Sequence, residues 1–306
     1  MSVCYTEKVQ SLPLSPNQRP KPVMYSIKES VSQAASMLQN AGVPEHRREA
    51  ASLLAHKLSK DRTFLFTHGD ERLSDEAFAQ YIAMVQRRAA GEPLQYITGV
   101  QDFYGRQFHV SPDVLIPRPE TELLVEAALR FIAPIQSPLV CDVGTGSGCI
   151  AISILCEMPE AHAIAIDISP GAINMARQNA ETLGVKERIE FIQSDGFNGL
   201  ESPLESFDLI VSNPPYVSAD MVSGLQREVR DHEPLVALSP GGDGLGVIRR
   251  ILKDGLGFLK SGGYLLLEIG FDQGEKVTQL IENPWHLLEI LPDLQGIPRI
   301  VILRKS

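Results

Sequence analysis

The most constraining feature of this chain is the alternation that begins after Pro138. Short apolar runs trade places with helical ones: LVCDVG (139–144), CIAISILCEM (149–158), HAIAID (162–167), GAINMARQNAETLG (171–184), IEFIQ (189–193) and FDLIVSN (207–213). The shorter runs, rich in Val and Ile, read as strands and the longer ones as helices. A helix around 244–259, the strand YLLLEIG (264–270), a helix near 272–282 and closing strands near 286–291 and 299–304 complete the series. Strands that alternate with helices need crossover connections, which give a mostly parallel sheet covered on both faces. The fold class is therefore α/β. In a doubly wound sheet of this kind, ligands bind outside the carboxyl ends of the strands, where the strand order reverses.

Upstream the periodicity is helical. Ile27, Val31, Ala34, Leu38 and Ala41 recur at three- and four-residue steps, and Gly42 and Pro44 stop the run. Ala50, Leu53, Leu54 and Leu58 mark a second helix. Ser74 reads as the N-cap of a third, with Asp75 and Glu76 in its first turn and Phe78, Ile82 and Val85 as its stripe. Residues 24–94 are thus expected as a helical bundle and 95–117, containing YITGVQDFYGRQFHV (96–110), as a hairpin-like connector. Residues 118–306 then form the sheet domain, entered by a helix near Glu120. Residues 1–23 hold four prolines and no apolar period, which reads as a disordered tail, with Met24 an alternative start.

Three strand ends carry candidate ligand contacts. In DVGTGSG (142–148), Gly144, Gly146 and Gly148 let the backbone turn tightly and approach a ligand, with Thr145 and Ser147 between them and a helix N-terminus following. Cys149 stands where a dinucleotide fingerprint needs its third glycine, and a plain strand–helix turn is the alternative. Asp167 ends the next strand, where a carboxylate accepts from ribose hydroxyls. It could instead cap the following helix, a task Ser169 can also perform. In SDGF (194–197), Asp195 could accept from an adenine amino group, with Gly196 and Phe197 lining the ring, or the stretch could be a surface turn. Together the three describe a nucleoside pocket. There is no Walker lysine, which disfavours phosphate cradling.

The fourth strand runs into VSNPPYV (211–217). Neither Pro214 nor Pro215 has a backbone N–H, so the strand is expected to end at Asn213. The Asn213 carboxamide, the Pro214 carbonyl and the Tyr216 ring are then left at its carboxyl edge, beside whatever the nucleoside presents. The alternative is an ordinary Asn-Pro turn.

A net charge of −10 argues against a broad polyanion-binding surface. Cys4, Cys141, Cys149 and Cys156 form no C-x-x-C pair and read as reduced thiols rather than disulfides or zinc ligands. No apolar run is long enough to cross a membrane.

DVGTGSGCIAI, AIDIS and NPPY resemble the class I S-adenosylmethionine-dependent methyltransferases that modify planar nitrogens. GEPLQYITG, FYG, VLIPRPETE, EVRDHEP and GGDGL narrow the resemblance to the HemK/PrmC family, protein-(glutamine-N5) methyltransferases of peptide chain release factors. It runs from about residue 26 to the C-terminus. NPPY alone is shared with adenine-N6 DNA methyltransferases; IPRPETE joined to NPPY is more specific.

The resemblance implies a Rossmann-like, mostly parallel seven-stranded sheet whose last strand is antiparallel, behind a bundle that recognises the protein substrate. It implies S-adenosylmethionine as cofactor, S-adenosylhomocysteine as product, and the glutamine of a Gly-Gly-Gln loop as methyl acceptor. Gly144, Thr145, Gly146, Ser147, Gly148, Asp167, Gly196 and Asn213 would bind the cofactor. Asn213, Pro214, Pro215 and Tyr216 would bind the substrate, with Asn213, Pro214 and Tyr216 catalytic. Phe103 and residues 117–121 would wall the pocket. Arg118 and Glu120 could pair with each other or cap a helix. His232 reads as a loop hydrogen-bonding residue and Glu268 as a strand-end carboxylate. A cytoplasmic monomer without metal or direct nucleic-acid contact is expected.

The rival enzyme is a nucleic-acid amino-group methyltransferase. Nine basic against nine acidic residues between 25 and 93 make a neutral module, unlike a DNA-reading domain. A regulatory protein that binds the cofactor without turnover is the non-enzyme rival, and the intact Asn213-Pro-Pro-Tyr216 speaks against it.

Overall fold

The computed structural model describes residues 25–200 and 206–306. The proposed tail, Met24 and Cys4 lie outside the described residues. The chain divides into two compact units between Ala89 and Ala90.

The first unit is helical: α1 (Ile27–Asn40), α2 (His46–Leu58), α3 (Arg62–Thr67) and α4 (Asp75–Ala89). A capping box starts α1, with the Glu29 N–H donating to Ser26 Oγ and the Ser26 N–H to Glu29 Oε2. Ser74 accepts from the Ala77 N–H as the first turn of α4 begins. Leu38, Leu53, Leu54, Tyr81 and Val85 are fully buried. Each such side chain contributes about 1.5–3 kcal/mol of burial free energy. The Tyr81 hydroxyl reaches the Ala50 carbonyl at 2.9 Å, so its polar end is satisfied in the core.

The second unit opens with α5 (Leu94–Thr98) and a hairpin of β1 (Val100–Phe103) and β2 (Arg106–His109). Residues 96–98 are therefore helical, and the hairpin starts only after Gly99, whose left-handed backbone ends α5. A 3-10 turn (Pro119–Thr121) leads into α6 (Glu122–Ile132). Then follow β3 (Leu139–Val143), α7 (Cys149–Glu157), β4 (His162–Asp167), α8 (Pro170–Thr182), β5 (Ile189–Gln193) and β6 (Phe207–Ser212). Two short helices, α9 (Arg227–His232) and α10 (Leu235–Leu238), precede α11 (Gly246–Asp254). The chain finishes with β7 (Leu259–Glu268), α12 (Gly274–Thr278), β8 (Trp285–Pro292) and β9 (Pro298–Lys305).

The seven-stranded sheet has the order β5-β4-β3-β6-β7-β9-β8. β9 is antiparallel to both its neighbours, and the pairs from β5 through β7 are parallel. Alternation assigns the faces. Val140, Ala163, Ala165, Leu209, Val211, Leu266 and Ile302 pack with α6 and α7 in one core. Their neighbours Cys141, Ile166, Ile210, Leu265, Leu267 and Val301 pack with α11 in the other. The order reverses between β3 and β6, which places the switch point where Gly144 follows one strand and Asn213 the other.

Among the described residues, no helix is long and apolar enough to cross a membrane.

Candidate active site

A cleft of about 360 Å³ opens at this switch point, lined by the ends of β3, β4 and β6 and by residues 194–197. Gly144, Thr145, Gly146, Ser147, Asp167, Gly196, Asn213, Pro214 and Pro215 all line it. Gly148 and Tyr216 are not among the lining residues. A Cβ on Gly148 would lie 2.6 Å from Ile152 Cδ1 and 3.2 Å from Ala176 Cβ, so this glycine serves close packing of the following helix.

The glycine loop is fixed by its own backbone. The Gly144 and Thr145 N–H groups both donate to the Ile166 carbonyl. Gly144 and Gly146 have φ of +78° and +55°, and a Cβ on either would meet nothing within 4 Å. The loop thus leaves free space on the cleft side in a conformation that β-carbons disfavour. Thr145 and Ser147 are only 3% and 2% exposed as whole residues, so they offer the cleft little surface. Thr145 Oγ1 donates to Asp142 Oδ2 at 2.7 Å. The Asp142 carboxyl is pushed up to about 7 by burial, against the pull of that hydrogen bond.

Asp167 accepts from the Gly146 N–H through Oδ2 and from the Ser169 N–H through Oδ1, each at 2.9 Å. Burial raises its pKa, and these N–H groups oppose the shift. Ser169, not Asp167, caps α8, through the Ala172 N–H. At the next strand end Asp195 faces Arg250 of α11 through two hydrogen bonds, 2.6 and 3.1 Å long. That guanidinium holds the Asp195 carboxyl below the usual range. Phe197 is buried and stacks on Phe258 at 5.0 Å.

The strand of Asn213 ends one residue earlier than expected, at Ser212, so Asn213 is outside the ladder. Ser212 Oγ donates to the Val143 carbonyl at 2.6 Å and ties this end to the root of the glycine loop. The segment beyond is clamped from behind. Gln273 Nε2 donates to the Tyr216 carbonyl at 3.0 Å, and the Val217 N–H donates to the Leu238 carbonyl. At Gly244, where φ is +78°, a Cβ would stand 2.4 Å from the Tyr216 carbonyl oxygen. The GGDGL stretch therefore brings backbone against backbone beneath NPPY. Tyr216 is partly buried, and burial, first, then the Glu268 carboxyl raise its hydroxyl to about 12.

Sequence comparison places this arrangement. Residues 29–99 match the PrmC N-terminal domain and residues 138–275 a methyltransferase domain. The release factor glutamine methyltransferase of Koribacter versatilis is 43% identical over 280 residues, covering 92% of this chain and 99% of that protein. That of Cereibacter sphaeroides is 45% identical over 277 residues, covering 90% and 97%. The chain belongs to the release factor glutamine methyltransferase family. Among solved structures, the hMettl16 catalytic domain in complex with MAT2A 3'UTR hairpin 1 superposes with a TM-score of 0.54 at 16% identity, covering 83% of this chain and 90% of that one. That likeness is one of fold.

Several neighbours of the site in this family member were not legible as such. Arg118 lines the cleft and pairs with Glu233, not with Glu120. Glu233 is buried, and its other oxygen accepts from the Ile116 N–H at 3.2 Å, so it ties the PRPET segment to the end of α9. His232, beside it, is not among the lining residues. Pro117 and Thr121 line the cleft, whereas Phe103 is 1% exposed in the core, edge-on to Phe108. Phe103 is therefore a core residue and not part of that wall. Asn213 Nδ2 donates to Thr121 Oγ1 at 3.1 Å. Glu268 is 1% exposed at the end of β7. Burial pushes its carboxyl up to about 7, against hydrogen bonds from Thr121 and Asn213 and the charge of Arg299. A strand-end carboxylate hinted at Glu268, and the resemblance placed residues 117–121, Thr121 among them, at the wall; nothing local marked Arg250 or Gln273.

Proposed function

We propose that this chain transfers a methyl group from S-adenosylmethionine to the side-chain amide nitrogen of the glutamine in the Gly-Gly-Gln motif of a peptide chain release factor. The observation that carries the reading is Asn213, Pro214 and Pro215 at the wall of a cleft shared with the glycine loop and Asp167, in a member of this family. The residues fit the cofactor. The loop leaves open space at Gly144 and Gly146, Asp167 offers carboxylate lone pairs, and the Gly196 end is walled by Arg250 and Phe197. When bound, S-adenosylmethionine supplies an electrophilic methyl group on a sulfonium that is already a good leaving group.

The chain's own task is to prepare the nitrogen. An amide nitrogen is a poor nucleophile, because its lone pair is delocalised into the carbonyl. Asn213 Oδ1 and the Pro214 carbonyl are both acceptors. Accepting the two hydrogens of the target NH2 holds the group in one orientation and turns its lone pair toward the methyl. The clamp on the Tyr216 carbonyl keeps the Pro214 carbonyl from swinging away. The apolar cleft wall at Val143, Ile150 and Ile166 excludes water from the reacting atoms. Catalysis is then positioning and desolvation, without a covalent enzyme intermediate. The neutral bundle and the partner it would recognise belong to the same proposal: a protein loop rather than a nucleic acid, in the cytoplasm.

The test is incubation with labelled S-adenosylmethionine and a release factor, followed by peptide mapping. Label on the Gly-Gly-Gln glutamine is expected. Label that goes to nucleic acid and not to the release factor would overturn the reading.

A further inference from the structure

We propose that Glu268, together with Thr121, decides which end of the Asn213 carboxamide faces the cleft, so that both are positioning residues for the reaction. This rests on the reading of Asn213 as the acceptor for the reacting amide.

The backbone brings the group together. Ser212 and Leu267 are partners in the parallel β6–β7 ladder, so Asn213 and Glu268 are the next residues on adjacent strands. Thr121, 2% exposed, arrives from the turn before α6. Asn213 Nδ2 donates to Thr121 Oγ1 at 3.1 Å, and both polar side chains lie near enough to the Glu268 carboxyl to favour its ionised form. Glu268 Oε2 is buried without a partner, so the carboxyl gains nothing that would explain its burial as packing alone.

The chemistry sets a direction. The two ends of a carboxamide have nearly the same shape, so Asn213 alone does not choose between them. An ionised carboxylate can only accept. The Thr121 hydroxyl must therefore donate to Glu268, which leaves its lone pairs for Asn213 Nδ2. With Nδ2 engaged by Thr121, Oδ1 is the end left for the cleft. A reversed carboxamide would aim an NH2 at the target NH2, donor against donor, and orient nothing.

Protonation of Glu268 would remove the constraint, because a carboxylic acid can donate to Thr121 and allow the chain of hydrogen bonds to reverse. Burial moves that protonation up to about 7; the Arg299 charge opposes the shift and Glu120 adds to it. Tyr216 and Cys149, the other titratable neighbours, are both raised to about 12 and stay neutral across this range.

Three variants test the assignment: Glu268→Gln, Thr121→Val and Thr121→Ser. Glu268→Gln keeps the shape but can donate as well as accept. It should lower kcat by about 10–100-fold with KM nearly unchanged, the pattern of a lost transition-state interaction. It should also abolish a fall in kcat below a midpoint near 7 in the wild type. Thr121→Val should behave alike, and Thr121→Ser should restore the rate. S-adenosylmethionine affinity by calorimetry should not move in any of them. An independent readout needs no turnover: the Asn213 side-chain amide resonance, assigned by its loss in Asn213→Ala. Its two hydrogens should exchange slowly in the wild type above pH 8, and quickly in Glu268→Gln and Thr121→Val. Unchanged protection in both variants overturns the proposal, as does an active Glu268→Gln with wild-type kcat and pH profile. A wild type that does not methylate a release factor would instead sink the functional reading, and the exchange measurement would still decide the role of Glu268.

Discussion

The Gly146 N–H donates to Asp167 Oδ2 at 2.9 Å, so the carboxylate proposed to hold the ribose also closes the glycine loop. Asp167→Ala should therefore act twice. S-adenosylmethionine binding should weaken by about 1–3 kcal/mol, the cost of hydroxyls left unpaired. The unliganded protein should also melt several degrees lower, because the Gly146 and Ser169 N–H groups lose their acceptor. Calorimetry and a thermal melt check both; unchanged affinity removes Asp167 from the cofactor site.

Asn213→Ala should damage turnover more than cofactor binding. Losing one preorganised hydrogen bond in a desolvated site costs on the order of 10²–10³ in rate. Asn213→Asp keeps an acceptor in place and should recover part of that loss. Tyr216→Phe should be mild, since the hydroxyl is not proposed to take part. Single-turnover rates at saturating cofactor measure all three, and near wild-type turnover by Asn213→Ala would return NPPY to a rigid turn.

Gly244→Ala tests the clamp. Its Cβ would stand 2.4 Å from the Tyr216 carbonyl and 3.0 Å from Gln273 Nε2, at a φ of +78°. The backbone of 213–217 must shift to admit it. We predict a destabilisation of about 1–3 kcal/mol from backbone strain and a fall in kcat, with S-adenosylmethionine affinity retained because the glycine loop lies elsewhere. Equal loss of affinity and rate would show that the two ends of the cleft are not independent.

Glu268 should leave a signature in stability against pH. Its folded pKa, about 7, is above the ordinary 4.5, so the folded state holds a proton that the unfolded state has released between these values. The stabilisation is complete below pH ~4.5 and is lost as pH rises through about 7. Compared with Glu268→Gln, the wild type should therefore lose on the order of 1–3 kcal/mol across that window. Urea denaturation of both proteins at a series of pH values reads the difference; parallel curves would mean an unperturbed carboxyl.

Much of the sheet was legible because β3 to β6 are short runs rich in Val, Ile and Ala, closed by Gly, Asp or Asn. The long helices showed their apolar period. The helices α3, α5, α9 and α10 did not, because four to six residues are too few to display one. Where β9 inserts could not be read from periodicity, since alternation says which face a residue takes and not which strand lies beside it. The strand-end positions of Gly144, Asp167, Gly196 and Asn213 followed from the topology. Their partners did not: Thr121 meets Asn213 across 92 residues, Arg118 meets Glu233 across 115, and Arg250 meets Asp195 across 55. Such pairs are made by the packing of finished elements and have no local signal.

The insertion of β9 between β7 and β8 also sets a timetable. Glu268 is paired with Ile300, and Ile300 is fully buried in the core beneath α6 and α7. A nascent chain can make the glycine loop, Asp167 and Asn213 early, while β7 still has a bare edge and Glu268 is still in water. Only when residues 298–305 have left the ribosome can that edge close and the acid be drawn into the interior. An enzyme proposed to act on the machinery that ends translation would thus acquire its oriented asparagine only once β9, far downstream of Asn213 in the chain, has been made.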